Sequence, residues 1–279
     1  TLFGVSNPDD PATQSVLCNL ITPLGDALKS DCKDWPLKIV QEKEATKDRL
    51  SQILGGDDVP ALLFTGSHGM GFPVNDSRQL SSQGALLCQD WPGPVQWQKA
   101  IPTDFYFSSD DVGSKSLLGM IAFHFACHSA GSPDVSDFGD NTLSDPTQIA
   151  PFPFLSRLSR RLLSQPSGGA LAVLGHIDRA WTTSFSWTPD DSPQIEVFES
   201  TIKRLLGGFP VGSAMEYVNQ RYAELSVELS GLLIDRERMV STSKSLTFRM
   251  LRANQDARNF VVVGDPAVRL VYRNETPPA

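Results

Sequence analysis

The sequence predicts an α/β protein with a mostly parallel six-stranded sheet and helices on both of its faces. Three observations predict it. Short, continuous apolar runs recur along the chain, the form a strand takes when both its faces are buried. Stretches of helical periodicity separate them. Polar or Gly/Pro-bearing turns such as Ser6–Pro11 and Gly264-Asp265-Pro266 bound some of the runs. The 279 residues suffice for one large core, and the chain reads as a single domain over 1–279. It begins at Thr1, which leaves an upstream sensor or targeting module open.

Thr1–Val5 is the first expected strand, followed by the polar turn Ser6-Asn7-Pro8-Asp9-Asp10-Pro11. Leu17, Leu20, Ile21, Leu24 and Leu28 recur at helical spacing. Pro23 lies among them and predicts that the helix kinks or restarts there. Pro36–Val40 is the second strand, and Lys43–Leu54 a charged helix stopped by Gly55-Gly56. Val59–Thr65 and Leu117–Phe125 read as buried strands, with loops or a hairpin over Gly66–Ile101. Ser129–Thr147 is polar and predicts a mobile surface loop. Pro153–Leu163 predicts a helix, Gly169–Gly175 a buried strand and Glu196–Leu206 a helix. A longer helix begins near Ser213, where Ser213 and Glu216 have capping-box spacing. Val218, Tyr222, Leu225, Leu229 and Leu232 line its inner face. Phe260–Val263 is the sixth strand, stopped by Gly264-Asp265-Pro266.

A formal charge of −8 argues against a nucleic-acid backbone as partner. No apolar run is long enough to cross a bilayer, so no membrane role is expected. The four cysteines, at 18, 32, 88 and 127, lack C-x-x-C spacing and are too sparse for a disulfide framework. No signal peptide opens the chain, and a reducing, cytoplasmic setting is expected. Cys18, Cys32 and Cys88 read as packing residues.

Two strand ends carry reactive residues. Gly66-Ser67-His68-Gly69 follows the strand Val59–Thr65, and Ala126-Cys127-His128-Ser129 follows Leu117–Phe125. Parallel strands bring both to one edge, where working loops gather. A thiolate attacks and an imidazole carries the proton. The Gly69 and Cys127 amides are placed to hold an oxyanion. The competing readings are weaker. His68, His124, Cys127 and His128 as a zinc site lack the H-E-x-x-H arrangement, and no metal or other cofactor is expected. Gly113-Ser-Lys115-Ser116 lacks the first glycine of a phosphate-binding loop. Gly66-Ser-His-Gly69-Met-Gly71 has the wrong spacing for a dinucleotide fingerprint, and no G-x-S-x-G elbow is present. His124 reads as a hydrogen-bonded core residue and His176 as structural or rim. His128 either tunes Cys127 or faces the loop. Trp91, Trp181 and Trp187 are candidates for the core, with Trp181 also a candidate pocket wall. Asp265 reads as part of a turn.

A buried strand ending in His-Gly, then a second ending in Ala-Cys, resembles the caspase-like cysteine peptidases (clan CD), most of all the bacterial CHAT and gingipain branch. Ala126-Cys127-His128-Ser129-Ala130-Gly131 is similar to the metacaspase Cys-His-Ser-Gly stretch, with Ala130 inserted. Phe260–Leu270 resembles the Gly-Asp-Pro ending of CHAT and gingipain-type domains, and Gly169-Ala170 through Trp181 their Gly-Ala…Gly…Trp segment. The likeness covers residues 60–270. It implies a caspase-like fold and a cysteine endopeptidase in which Cys127 is nucleophile and His68 general acid/base, acting mainly at the leaving amine. It implies no metal, no third carboxylate member, a protein or peptide substrate, and control by a regulatory domain or activating partner through loops 70–100 and 129–150. Association with bacterial defence comes with the likeness.

For substrate choice, the resemblance places the residue two before the nucleophile in the S1 pocket. Here that residue is Phe125, where metacaspases carry an acid. The turn after the first strand supplies Asp9 and Asp10, and Asp178 lies near Trp181. A carboxylate there selects a basic side chain, so cleavage after Arg or Lys is expected, with these five residues as substrate-binding candidates. The rival from another class is a catalytically silent caspase-like module used for binding.

Overall fold

The computed structural model describes residues 1–56, 59–138, 147–186, 192–238 and 243–271. Trp187 and part of the expected loop 129–147 lie outside them. The main elements, in order, are β1 (Leu2–Gly4), α1 (Pro11–Val16), α2 (Thr22–Asp31), β2 (Ile39–Gln41), α3 (Lys47–Gly55), β3 (Leu62–Gly66), β4 (Ile121–Phe125), α4 (Arg157–Leu163), β5 (Ala172–His176), α5 (Glu196–Leu206), α6 (Glu216–Glu237), α7 (Lys244–Arg258) and β6 (Phe260–Gly264). The protein is α/β, with one six-stranded sheet in the order β6-β5-β4-β3-β1-β2. All neighbours are parallel except β6, which runs antiparallel to β5.

The central strands are mostly apolar because both faces are covered. Leu62, Phe64, Ile121 and Phe123 pack against α2 and α5, with Phe198, Ile202 and Leu205 from α5. Leu63, Ala122 and Val173 turn to the opposite layer, against Leu50 and Ile53 of α3 and Leu158 and Leu162 of α4. Phe64 and Phe123 meet edge-on, with ring centroids 5.0 Å apart.

Local chemistry explains most boundaries. Pro23 has no N–H to give to a residue four back, and the chain answers with a π turn over Leu17–Ile21. The Thr22 N–H bonds Leu17 O. The expected kink is thus absorbed one turn ahead of the proline. Thr46 caps α3 by accepting the Arg49 N–H at 3.2 Å.

Four expectations need correction. The Ser213–Glu216 capping box does not form. Val211–Ala214 makes its own helical turn, and Ser213 Oγ instead accepts from Arg204 at 3.1 Å. The helix expected from Pro153 begins at Arg157, because Phe154–Leu155 pairs antiparallel with Gly131–Ser132. The start of the expected surface loop is buried: Ser129, Ala130 and Ser132 are each at most 2% exposed. Cys18 is exposed, not packed.

α7 has no counterpart in the apolar pattern of the sequence. Its buried face is Thr247, Met250, Ala253, Asn254, Asp256 and Ala257, all but Met250 small or polar residues that carry little hydrophobic signal. With α6 it forms a separate core around Leu225, Leu229, Met250, Ala253 and Ala257. No described helix is long and apolar enough to cross a membrane.

Inside the sheet, Thr65 Oγ1 and His124 Nδ1 are 2.8 Å apart, and both residues are fully buried. Thr65→Val leaves that nitrogen without a partner, and an orphaned buried polar group costs about 1–3 kcal/mol. Urea unfolding of the variant is expected to show that loss with an unchanged m value. Wild-type stability would contradict the pairing.

Candidate active site

The register of β3 against β4 builds the site. Residues 62 to 66 face 121 to 125 in strict order, from Leu62↔Ile121 to Gly66↔Phe125. The Ser67 N–H continues the ladder to Phe125 O at 3.2 Å. His68 and Cys127 stand two residues beyond the last pair, level with one another on neighbouring strand tips. Gly69 then lies against the backbone of Cys127, so closely that a Cβ there would sit 1.7 Å from Cys127 O. Only glycine permits this approach.

The His68 tip is held from the other side by a short hairpin. Leu87 N donates to His68 O at 2.9 Å, Met70 N to Ala85 O at 2.8 Å and Gly84 N to Met70 O at 2.8 Å. Gly84 has φ +78°, and a Cβ on it would fall 2.0 Å from His128 O. Both loops therefore press together through glycine backbone.

β1 lies beside β3 and brings in Asp10. Its turn is fastened by buried Asn7, whose Nδ2 donates to Cys88 O and Trp91 O, each at 3.0 Å. Asp10 caps α1 and accepts from Thr13 Oγ1 at 2.6 Å. Its Oδ2 also lies 2.8 Å from His68 Nε2. Burial works to raise the Asp10 carboxyl, but the hydrogen bonds from His68 and Thr13 and the His68 charge outweigh it and hold the group below its ordinary value. The Trp91 ring stands edge-on to the imidazole at 6.5 Å.

Cys127 is half-buried. Its thiol donates to Ala180 O at 3.8 Å, and among the described residues no hydrogen bond joins Sγ to His68. Burial pushes the thiol above its ordinary value of 9.0, with the charges of Asp178 and Asp256 acting the same way and the Ala180 and Gly69 backbone opposing them.

The next residue, His128, is a peg. It has φ +55°, in the left-handed region. Its N–H donates to Asp178 O at 2.8 Å, and its Nδ1 meets Ser132 Oγ at 2.9 Å. Burial lowers both His128 and His124 to about 4, which keeps them neutral and structural. His176 is also fully buried. Burial works to lower it, but the hydrogen bond and charge of Asp256, 3.3 Å from Nε2, win and raise it. Trp181 N donates to the same Asp256 carboxylate at 2.9 Å.

The residues expected in a substrate pocket separate. Phe125 is buried among Phe185 and Phe198, with ring centroids 5.5 and 5.6 Å away, so it belongs to the core. Asp10 is committed to His68 and Thr13. Asp178 is 1% exposed, and its oxygens accept Ser136 Oγ at 2.7 Å, Asp137 N at 3.1 Å and Arg179 N at 2.7 Å. Neither carboxylate is free to select a basic side chain. Asp9 alone is exposed, with φ +54°. Trp181 is half-buried between Phe138 and Arg252.

Asp10 was visible in the sequence, but its pairing with His68 was not, since 58 residues separate them. Asp256 and Ala180 carried no motif at all. Among the described residues no three His, Cys, Asp or Glu side chains converge on a metal position. No family model matches the chain, and no curated protein matches it.

The buried imidazoles set a pH dependence. His124 and His128 fall from an ordinary 6.5 to about 4, so the unfolded chain binds more protons between those values. Stability is expected to drop as pH falls through that window, by the order of 3 kcal/mol for each group. His176, raised, acts oppositely: its contribution is full below 6.5 and lost as pH climbs through its folded value. Urea midpoints are expected to peak near pH 6.5, and His124→Gln to flatten the acid limb. A midpoint that rises steadily down to pH 4 would contradict the assignment.

Proposed function

We propose that the chain is a cysteine endopeptidase with a caspase-like arrangement of its sheet and site. What carries the reading is the level placement of His68 and Cys127 on the tips of β3 and β4, with the Gly69 backbone against Cys127.

In the proposed reaction the Cys127 thiol passes its proton to His68 through an intervening water, and the thiolate attacks the scissile carbonyl. The Sγ–C bond forms, and the carbonyl electrons move to oxygen. The Gly69 and Cys127 amides stabilise that oxyanion. As the tetrahedral species collapses, the C–N bond breaks and His68 gives a proton to the leaving amine. Water then hydrolyses the thioester and frees the second product and the thiol. With a water between them, His68 does not need a direct hydrogen bond to Sγ. Asp10 holds Nε2 and leaves Nδ1 for the proton transfer. This role replaces the expected one in substrate selection, and it adds a carboxylate to a pair expected to work without one.

A specific observation favours a second reading, a catalytically silent binding module. The Sγ is directed at a backbone carbonyl, and its surroundings disfavour the thiolate. The two readings differ in what the thiol does.

Peptide-library cleavage by the wild type and by Cys127→Ala, His68→Ala and Asp10→Ser separates them. The peptidase reading expects loss of at least about 1,000-fold for Cys127→Ala, about 100-fold or more for His68→Ala and about tenfold for Asp10→Ser, which keeps a helix-capping hydroxyl but cannot hold the imidazole. A wild type that cleaves nothing, with Cys127 alkylated by iodoacetamide no faster than exposed Cys18, supports the silent module.

A further inference from the structure

We propose, resting on the peptidase reading, that the C-terminal end of α7 is a clamp that sets both walls beside Cys127, with Gln255, Asp256 and Arg258 as positioning residues.

The first wall is Val135–Phe138, the continuation of the nucleophile's own loop. Asp137 ties it down. Its carbonyl accepts from Gln255 Nε2 at 2.7 Å. Its carboxylate accepts from Arg258 Nε at 3.1 Å, from Arg258 Nη2, and from Asn259 Nδ2 at 3.2 Å. The second wall is residues 177–186, which follow β5. There Asp256 receives the Trp181 N–H at 2.9 Å on one oxygen and the Ser184 hydroxyl on the other. The same carboxylate faces His176. Asp256 is fully buried, and its carboxylate is spent on the loop and on His176.

The two walls meet one another, and the second reaches the sulfur. Phe138 and Trp181 are in contact, with ring centroids 5.6 Å apart. Arg252, also from α7, lies over the Trp181 ring at 4.3 Å. Asp178 joins the walls through Ser136 and the Asp137 N–H. Its carbonyl holds His128, next to the nucleophile, and the Ala180 carbonyl holds the thiol itself. Both walls are therefore fixed through groups on one short stretch of α7, joined at the second wall by Arg221 of α6, which donates to the Thr183 and Ser184 carbonyls.

The character of these contacts matters. Apolar packing tolerates sliding, whereas hydrogen bonds to a carboxylate fix both distance and angle. The α6–α7 pair also has its own small core and meets the site loops largely through these polar groups. A unit so joined transmits its own displacement to whatever the polar groups hold. The geometry thus makes the seating of α7 a condition for the geometry of the site.

The test uses Gln255→Ala with Arg258→Ala, since the Arg258–Asp137 pair is partly exposed and such pairs contribute little to global stability. Arg258→Lys is the conservative control and Asp256→Asn the buried counterpart. Hydrogen exchange is expected to rise about tenfold or more in 128–138 and 177–186 while β3 and β4 keep their protection. For a cleaved peptide, kcat is expected to fall about 10- to 100-fold with KM nearly unchanged, and Arg258→Lys to recover part of it. Unchanged exchange in both walls overturns the clamp, as does exchange rising evenly through the sheet. Wild-type-like variants of a Cys127-dependent peptidase reject the clamp and leave the activity standing. Loosened walls in a chain that hydrolyses nothing keep the clamp and remove the peptidase.

Discussion

Everything at the reactive edge depends on the parallel register of β3 with β4. The constant offset of 59 residues is a property of the backbone ladder, and a strand slipped by one residue turns every side chain to the opposite face. Such a slip would carry Phe64 and Phe123 out of their aromatic layer and break the Thr65–His124 pair. Two kinds of term thus defend one register: burial of large rings, each contributing about 1.5–3 kcal/mol, and a polar pair that has no other partner to turn to. The same offset places His68 beside Cys127. Core packing and site geometry are therefore one constraint.

Buried carboxylates organise the loops around that edge. Asp178 and Asp256 each accept two hydrogen bonds from segments distant in sequence, and Asp10 accepts one from Thr13 of its own helix while meeting distant His68. A buried charge is costly unless paired, so each of these acids is stable only when its loop is in place. The acids act as locks, not as open pockets for a basic substrate. Asp10 and Asp178 therefore lend no support to the expected preference for Arg or Lys.

The electrostatics of Cys127 follow from the same architecture. Cys127 sits above two of the locks, and their negative charge joins burial in favouring the thiol over the thiolate. In the proposed peptidase, bound substrate and protonated His68 supply the compensation at the moment of attack. The loops that raise the resting thiol are also those that hydrogen-bond to α7, so the Cys127 surroundings and the seating of α7 share one set of atoms.

Much of the fold was legible from residue pattern. All six strands lie within a few residues of their expected places, because continuous apolar runs such as Leu62–Phe64 and Ile121–Phe123 have only one use in a covered sheet. The two reactive tips were legible too, since a strand end is local. Pairings across long separations were not. Nothing in the residues near Asp10 states that its carboxylate meets His68. Nor does a helix whose buried face is Thr247, Ala253, Asn254 and Asp256 announce itself through hydrophobic period. Local sequence decides which segments are strands and which residues stand at their tips, because those follow from short-range sterics and burial. The committed carboxylates, the buried turn after Cys127 and the seat of α7 were decided by tertiary structure alone, because hydrogen bonds between distant segments exist only once the sheet has brought their partners within reach.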